Sequence, residues 1–368
     1  MKILFVGQIA LGQTSHMRLD ALRELGHTVT GIDSQAGWSK CGYLSRHAQQ
    51  FLERGSAVEC VTNQVRAIVR ETKPDLLWCE KQEYIGADII RELKSKGLKT
   101  LHYTPDPLLS LKWKQTKTLR GALPLYDYLV TSKRYELASY ASVGNRVLYM
   151  PLGFCEKVHR PFLPAKRTTM EKYQSQLSFV GGWEPRRENL LRQIVDAGHC
   201  LKIWGYGWNH VLDGVWTPRR YLRMSRLAGT AAVMINKDER LGRCVQDGEI
   251  YGDEYAWALS AAAIGIGFLR SVCPDEHTTR TFEIPATASM LLADRTDEHC
   301  DFFEEGKEAE FFSSSEELLE KVAYYLSHDR EREKIACRGY ERCRSSGYSY
   351  RERLSKVLKE IGIAGYKE

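Results

Sequence analysis

Several common devices are missing from this chain of 368 residues. Its ten cysteines are Cys41, Cys60, Cys79, Cys155, Cys200, Cys244, Cys273, Cys300, Cys337 and Cys343. They form no CxxC pair and no cysteine–histidine set with zinc-finger spacing, so a zinc module is not expected. Several lie inside apolar runs, as Cys79 does in DLLWCE. They read as buried, reduced thiols of a cytoplasmic protein, not as a disulfide framework. No Asn-x-Ser/Thr sequon occurs. The longest apolar run, AWALSAAAIGIGFL, falls short of the ~20 residues that a membrane-spanning helix needs. MKILFVGQ reads as a strand, not as a leader peptide. No GxGxxG follows that first strand, which argues against a nicotinamide oxidoreductase. No DxD is present to hold Mg²⁺ against a diphosphate; Asp294 and Asp297 are spaced DxxD. There is no repeat of solenoid period and no low-complexity tract.

What is present is an ordinary globular composition, 43% hydrophobic and 27% charged. The net charge of +6 is modest. Basic residues have acidic neighbours, as in RERLSKVLKE and REREK, which fits a solvated surface better than a nucleic-acid stripe. At roughly 100–200 residues per domain, the length predicts two domains.

Strand and helix patterns alternate along the chain. KILFVG, HTVTGID, PDLLWCE, LKTLHYTPD, YDYLVTS and NRVLYMP read as buried strands. Helical patterns separate them, starting with SHMRLDALRELGH and including residues 43–72. This is a doubly wound domain over 1–152. Residues 153–170, with Pro161 and Pro164, read as a linker. A second alternation covers 171–348, with strands LSFVGG, LKIWGYGW, IGIGFL, SMLLAD and AEFFSS. Its helices include PRRENLLRQIVDAG, the short TRTFEIPATA, and SEELLEKVAYYLSH with a serine cap. Residues 218–228 read as helical, AAVMIN as a strand, and NKDERLGRCVQDGEIYGDE as loop. The insertion 229–252 has no assigned role. Two doubly wound domains in tandem imply a cleft between the carboxyl ends of their sheets, where open α/β sheets bind ligands.

The segments YGDEYAWALSAAAIGIGFLR, RTFEIPATASMLLADRT and FFEEGKEAEFFSSSEELLEKVAYYLSHDREREKIACRGYERC resemble the CgeB-like (spore maturation protein type) glycosyltransferases. LSFVGGWEPRRENLL and the pattern YMPLGF…HRPF fit as well. The resemblance covers about residues 200–350 well; the first 130 residues share only the fold rhythm. It implies a GT-B fold: two doubly wound Rossmann-like domains facing a cleft, with residues 349–368 as a C-terminal helix packing back on the first domain. It further implies transfer of a sugar from a nucleotide-diphosphate sugar to an acceptor hydroxyl, with retention at the anomeric carbon. The nucleotide sugar is then a co-substrate, and no cofactor is expected.

In related GT-B enzymes two acidic residues lie eight positions apart, the later gripping ribose and the earlier facing the sugar. The resemblance places Glu283 at the ribose and Asp275, where glutamate is usual, at the sugar. A carboxylate suits vicinal hydroxyls because it accepts two hydrogen bonds. The bland alternative for Glu283 is a helix-dipole contact. Arg280, Thr278 and Thr279 stand at a helix start that can take the diphosphate; a surface pair of Arg280 with Glu283 or Glu276 is the alternative. Arg186 and Arg187 follow Gly181 and Gly182, glycines that let backbone approach a phosphate, and cations there can neutralise leaving-group charge. With no metal expected, these groups must meet that charge themselves. Gly205 and Tyr206, in GYGW, could face the nucleobase, although a packed aromatic is the commoner outcome. In the first domain Gly12 opens a loop before His16. His16 or Asp106 could act as the base that an inverting transferase needs; in a retaining one they position the acceptor. Glu80 and His102 also sit at strand ends. Two rivals stay open: a nucleotide-sugar epimerase of GT-B fold, and a non-catalytic nucleotide or carbohydrate binder. Expected partners are a nucleotide sugar and a carbohydrate or other hydroxyl acceptor, with no nucleic acid. A peripheral membrane contact stays open.

Overall fold

The computed structural model describes residues 1–111, 115–144, 146–213, 215–216, 233–234 and 238–362. The chain divides into two compact units, residues 1–155 with 350–368, and residues 156–349.

The first unit is built on β1 (Lys2–Gly7), β2 (Thr28–Asp33), β3 (Leu76–Glu80), β4 (Lys99–Thr104), β5 (Tyr128–Thr131) and β6 (Val147–Tyr149). All neighbours pair parallel, in the order β2-β1-β3-β4-β5-β6. Ile3, Leu4, Phe5 and Val6 are all buried, so both faces of β1 are covered, as a parallel strand between helix layers requires. The helices are α1 (Thr14–Glu24), α2 (Tyr43–Leu52), α3 (Ser56–Thr72), α4 (Ala87–Ser95), α5 (Lys117–Ala122) and α6 (Leu137–Ala141). In α3 the buried residues Ala57, Val61, Val65 and Val69 recur every four positions and face the sheet.

The second unit carries β7 (Ser175–Val180), β8 (Leu201–Trp204), β11 (Ala262–Gly267), β12 (Met290–Asp294) and β13 (Glu310–Phe312), in the order β13-β12-β11-β7-β8. A separate antiparallel pair joins β9 (Val215–Trp216) to β10 (Val233–Met234). The helices are α7 (Arg167–Tyr173), α8 (Pro185–Asp196), α9 (Asn209–Asp213), α10 (Glu239–Cys244), α11 (Gly252–Ser260), α12 (Arg280–Ala286), α13 (Asp297–Phe302), α14 (Ser315–Ser327) and α15 (Asp329–Ser345). The Ser314 hydroxyl caps α14 by accepting from Glu317 N at 3.2 Å. The last helix, α16 (Tyr350–Glu360), returns to the first unit. Its Leu354, Val357 and Leu358 join Leu19 and Leu22 of α1 in one core.

Two sequence expectations change. The segment read as loop after Asn236 contains α10, capped by the Asp238 carboxylate, which accepts from Leu241 N at 3.0 Å. Hydrophobic periodicity is weak over six residues, and the cap carries the signal. The stretch read as a linker, 153–170, already enters α7 at Arg167. The helix expected at 218–228 lies outside the described residues. Among the described residues, no helix is long and apolar enough to cross a membrane.

Both sheets contain a topological switch point. From β1 the chain goes to β2 on one side and then to β3 on the other; from β7 it goes to β8 and then to β11. Loops leaving the carboxyl ends of the two central strands diverge there and open a crevice. In the second unit the crevice lies between the β7–α8 loop and the long loop from β11 to α12.

Candidate functional site

Glycines shape the floor of the second-unit crevice. Gly205 has φ +139, and a Cβ there would lie 2.2 Å from Gly181 O, so only glycine lets the β7 and β8 loops approach this closely. Gly181 N donates to Trp204 O at 2.9 Å, and Trp183 N to Tyr206 O at 3.0 Å. The Tyr206 ring leans over Gly182, where an added Cβ would meet Cζ at 2.5 Å. Tyr206 stays 64% exposed, so its ring is open to a planar ligand.

The two arginines that follow Gly182 play different parts. Arg187 is buried and donates to Gly182 O at 2.9 Å, Phe268 O at 3.0 Å and Leu269 O at 3.3 Å. It ties the β7 loop to the β11 loop, and burial pushes its pKa down. Arg186 is half exposed and makes a bidentate pair with Asp294 at the end of β12. Asp294 also accepts from Leu269 N at 2.7 Å, so it braces both loops.

The other wall is the start of α12. The N–H groups of Thr281, Phe282 and Glu283 are spent on Thr278 O and Thr279 O, at 3.2, 3.0 and 2.9 Å. Thr278 N donates to Thr281 Oγ1 at 3.0 Å. The helix start is therefore largely satisfied from within, so these three N–H groups are not on offer to a diphosphate as the sequence led one to expect, and the partly exposed donor of this wall is a side chain. That side chain is Arg280. Its Nε donates to Val180 O at 2.9 Å, which pins it to the end of β7. Its Nη1 donates to Thr279 Oγ1 at 2.8 Å and to Glu283 Oε2 at 3.2 Å. The guanidinium also lies over the Tyr255 ring, 5.2 Å from its centroid.

Glu283 is the hub of this cluster. Oε2 accepts from both the Tyr255 hydroxyl and Arg280. Oε1 lies 3.6 Å from His159 Nε2. His159 is buried, which lowers its pKa despite the nearby carboxylate, and it meets the Tyr255 ring edge-on at 5.4 Å. The Glu283 side chain is only 3% exposed, whereas Arg280 is 29% exposed. The Arg280–Glu283 pair, the alternative to a diphosphate role for Arg280, is thus present, with its carboxylate buried and its guanidinium partly exposed. Asp275 is buried within the loop between β11 and α12. Sequence reasoning missed His159 and Tyr255, although HRPF and YGDEYAWAL were both noted as patterns.

Beneath the cluster, α12 is anchored by histidines. His277 Nδ1 is 2.6 Å from Glu298 Oε2. His299 contacts Asp294 O through Nδ1 at 2.6 Å and Thr281 Oγ1 through Nε2 at 2.8 Å. A neutral ring protonated on Nδ1 satisfies both contacts, and burial holds its pKa down at about 4.

In the first unit Gly12, with φ +86, lies in the loop after β1. His16 is the third residue of α1; its Nδ1 is 2.9 Å from Ile9 O and its Nε2 3.2 Å from Asp20 Oδ2. Asp106 lies beyond β4 and pairs with Lys81 Nζ at 3.0 Å. Between them Glu80 ends β3, buried, and takes a bidentate pair from Arg18 and a hydrogen bond from Ser15 at 2.5 Å. His102 is buried beside it, with a pKa lowered by burial to about 4. Among the described residues, no group of three or more His, Cys, Asp or Glu is placed to hold a metal ion.

Residues 186–359 match the family model described as glycosyl transferase-like. No curated protein sequence matches the chain. Sucrose-phosphate synthase from Thermosynechococcus elongatus superposes with a TM-score of 0.66 at 13% identity, covering 99% of this chain and 100% of that one. Anabaena HepE, solved in complex with UDP and glucose, gives 0.62 at 11% identity, with 99% and 100% coverage. A UDP-N-acetylglucosamine 2-epimerase gives 0.55 at 10% identity, with 100% and 98% coverage. At these identities the likeness establishes the architecture, which is the GT-B fold.

Proposed function

We propose that this GT-B-fold glycosyltransferase moves a sugar from a nucleotide-diphosphate sugar, held by the second unit, to a hydroxyl acceptor bound by the first. The observation that carries the donor half is the Arg280–Glu283–Tyr255 cluster at the switch-point crevice. It sets a partly exposed guanidinium beside a buried carboxylate, next to a glycine-shaped loop.

In this reading the diphosphate sits between Arg280 and the Gly181–Gly182 loop, with Thr278 and Thr279 beside it. Arg186 adds positive charge from the start of α8, and Arg187 holds the loop in shape. A phosphate is a stronger bidentate partner for Arg280 than one shared oxygen of Glu283. When Arg280 turns to the phosphate, Glu283 Oε2 becomes available to a ribose hydroxyl. The Tyr255 hydroxyl and His159 keep the carboxylate oriented. Asp275 faces the sugar, and Tyr206 with Gly205 offers a platform for the base. UDP in the HepE structure makes uracil the first base to test.

Arg280 and Arg186 then stabilise leaving-group charge without a metal ion. Retention at the anomeric carbon follows the resemblance to CgeB-like enzymes, in which case His16 and Asp106 position the acceptor. Both nitrogens of His16 face acceptor oxygens, which fits positioning better than proton abstraction. The test is release of nucleoside diphosphate from a panel of nucleotide sugars, with and without candidate acceptors. Acceptor-dependent release supports transfer. Isomerised sugar without release contradicts it and favours an epimerase, and binding without turnover contradicts it in favour of a non-catalytic binder.

A further inference from the structure

Helix α2 is amphipathic the wrong way round for a globular surface. At 100° per residue, Tyr43, Leu44, His47, Ala48, Phe51 and Leu52 share one half of the helix. Ser45, Arg46, Gln49 and Gln50 share the other. None of its residues is buried. The side that meets the protein is the polar one. Gln49 Oε1 accepts from Ala57 N at 2.9 Å, and its Nε2 donates to Ser45 Oγ at 3.0 Å and lies 3.5 Å from Cys41 Sγ. Gly55 is needed for that contact, because a Cβ there would lie 2.5 Å from Gln49 Oε1. On the apolar half Leu44 is 81% exposed and Leu52 63%. Tyr43 and Phe51 are exposed as well. A fold that spends a glutamine on the inside of a helix and leaves two leucines outside is presenting a surface.

The charge around this face is net positive, although Glu53 and Glu83 both lie near Tyr84 beside it. Residues 40–54 contain Lys40, Arg46 and Arg54 against Glu53 alone, which is three minus one, or +2 with His47 neutral. The one acid within residues 40–54 is already engaged. Glu53 accepts from Lys117 N at 2.8 Å, Thr118 N at 2.7 Å and Thr118 Oγ1 at 2.8 Å, capping the start of α5. It thereby fixes the end of α2 beside α5, whose Lys117 and Arg120 are exposed and add positive charge.

We propose that α2 docks the protein on an anionic phospholipid surface, with Leu44 and Leu52 entering the headgroup boundary and the surrounding cations meeting lipid phosphates. An exposed apolar face with basic residues around it is the combination that interfacial helices use, each part adding affinity. A protein partner with a matching groove could cover the leucines, but it has no need of the net positive rim.

The test is flotation of the full-length protein with vesicles of phosphatidylcholine alone and of phosphatidylcholine with phosphatidylglycerol. Binding is expected to the anionic vesicles, weakened by salt. Leu44→Ser with Leu52→Ser should lower it by about tenfold or more, the loss expected for withdrawing one or two leucine side chains. Arg46→Glu with Arg54→Glu should abolish the preference for anionic lipid. A Leu44→Trp variant should show a blue shift in emission on adding the anionic vesicles. All these positions are exposed, and unchanged melting temperatures will show that the variants fold. Absence of binding, equal binding to neutral vesicles, or binding that survives the serine pair overturns the proposal. So does a self-association in sedimentation that the serine pair removes while vesicle binding is nil.

Discussion

Arg280 and Glu283 show how much one pair of residues can hold in reserve. The carboxylate is nearly enclosed and takes two donors on one oxygen, so the ribose role proposed for it depends on Arg280 changing partner. Arg280→Ala should therefore cost the diphosphate contact directly. The donor Kd should rise about tenfold to a hundredfold, as expected for a charged hydrogen bond. Calorimetric titration with UDP checks this, and an unchanged Kd would place the phosphate elsewhere. The buried histidines make a second prediction. His102 and His299 have folded-state pKa values of about 4, against an ordinary value of 6.5. Between those values the unfolded chain binds a proton that the folded protein refuses. Their contribution is whole above pH ~6.5 and is lost as pH falls toward ~4, at up to about 1.4 kcal/mol per pH unit for each. Urea midpoints should fall between pH 7 and 5, and His299→Gln should flatten that slope. A pH-independent midpoint contradicts the assignment.

The elements follow from simple patterns, with informative exceptions. Apolar runs such as KILFVG and SMLLAD could be read as strands because parallel strands are buried on both faces. The serine cap of α14 was equally readable. The six-residue α10 was not, since one turn and a half carries no periodicity. Site geometry was legible only as residue types. GYGW showed glycines, but not that Gly205 must lie against Gly181 O. Gly205→Ala should therefore destabilise the protein by about 1–3 kcal/mol or more, from its positive φ and the clash combined. Chemical denaturation measures this, and a loss below half a kilocalorie would contradict the close approach. At the end of β3, Glu80→Ala leaves the buried Arg18 without its carboxylate. About 3–5 kcal/mol of stability should go with it, by the same measurement. That pair was invisible in sequence, because its members are 62 positions apart and meet only through the sheet. Arg187 was read as a phosphate candidate from its place after two glycines. Its three bonds to carbonyls depend on where the β11 loop runs, which no local pattern contains.

Across the whole molecule, two parallel sheets, each with its own switch point, give the GT-B fold, and 174 residues of the chain (186–359) carry the glycosyl transferase-like signature. The donor reading was available from sequence because Asp275, Arg280 and Glu283 lie within one short stretch. The acceptor reading had only His16 and Asp106 to go on, single residues beyond the ends of different strands. Ligand linkage extends the account: UDP at a hundred times its Kd should add about 2.7 kcal/mol to the stability of the unit that binds it. The most direct test of the central claim is a crystal structure of the protein with UDP. The account predicts the diphosphate between Arg280 and the Gly181–Gly182 loop, with a ribose hydroxyl within hydrogen-bonding distance of Glu283 and the Arg280–Glu283 contact loosened. A nucleotide bound away from this crevice, or one whose ribose leaves Glu283 locked to Arg280 and Tyr255, would contradict it.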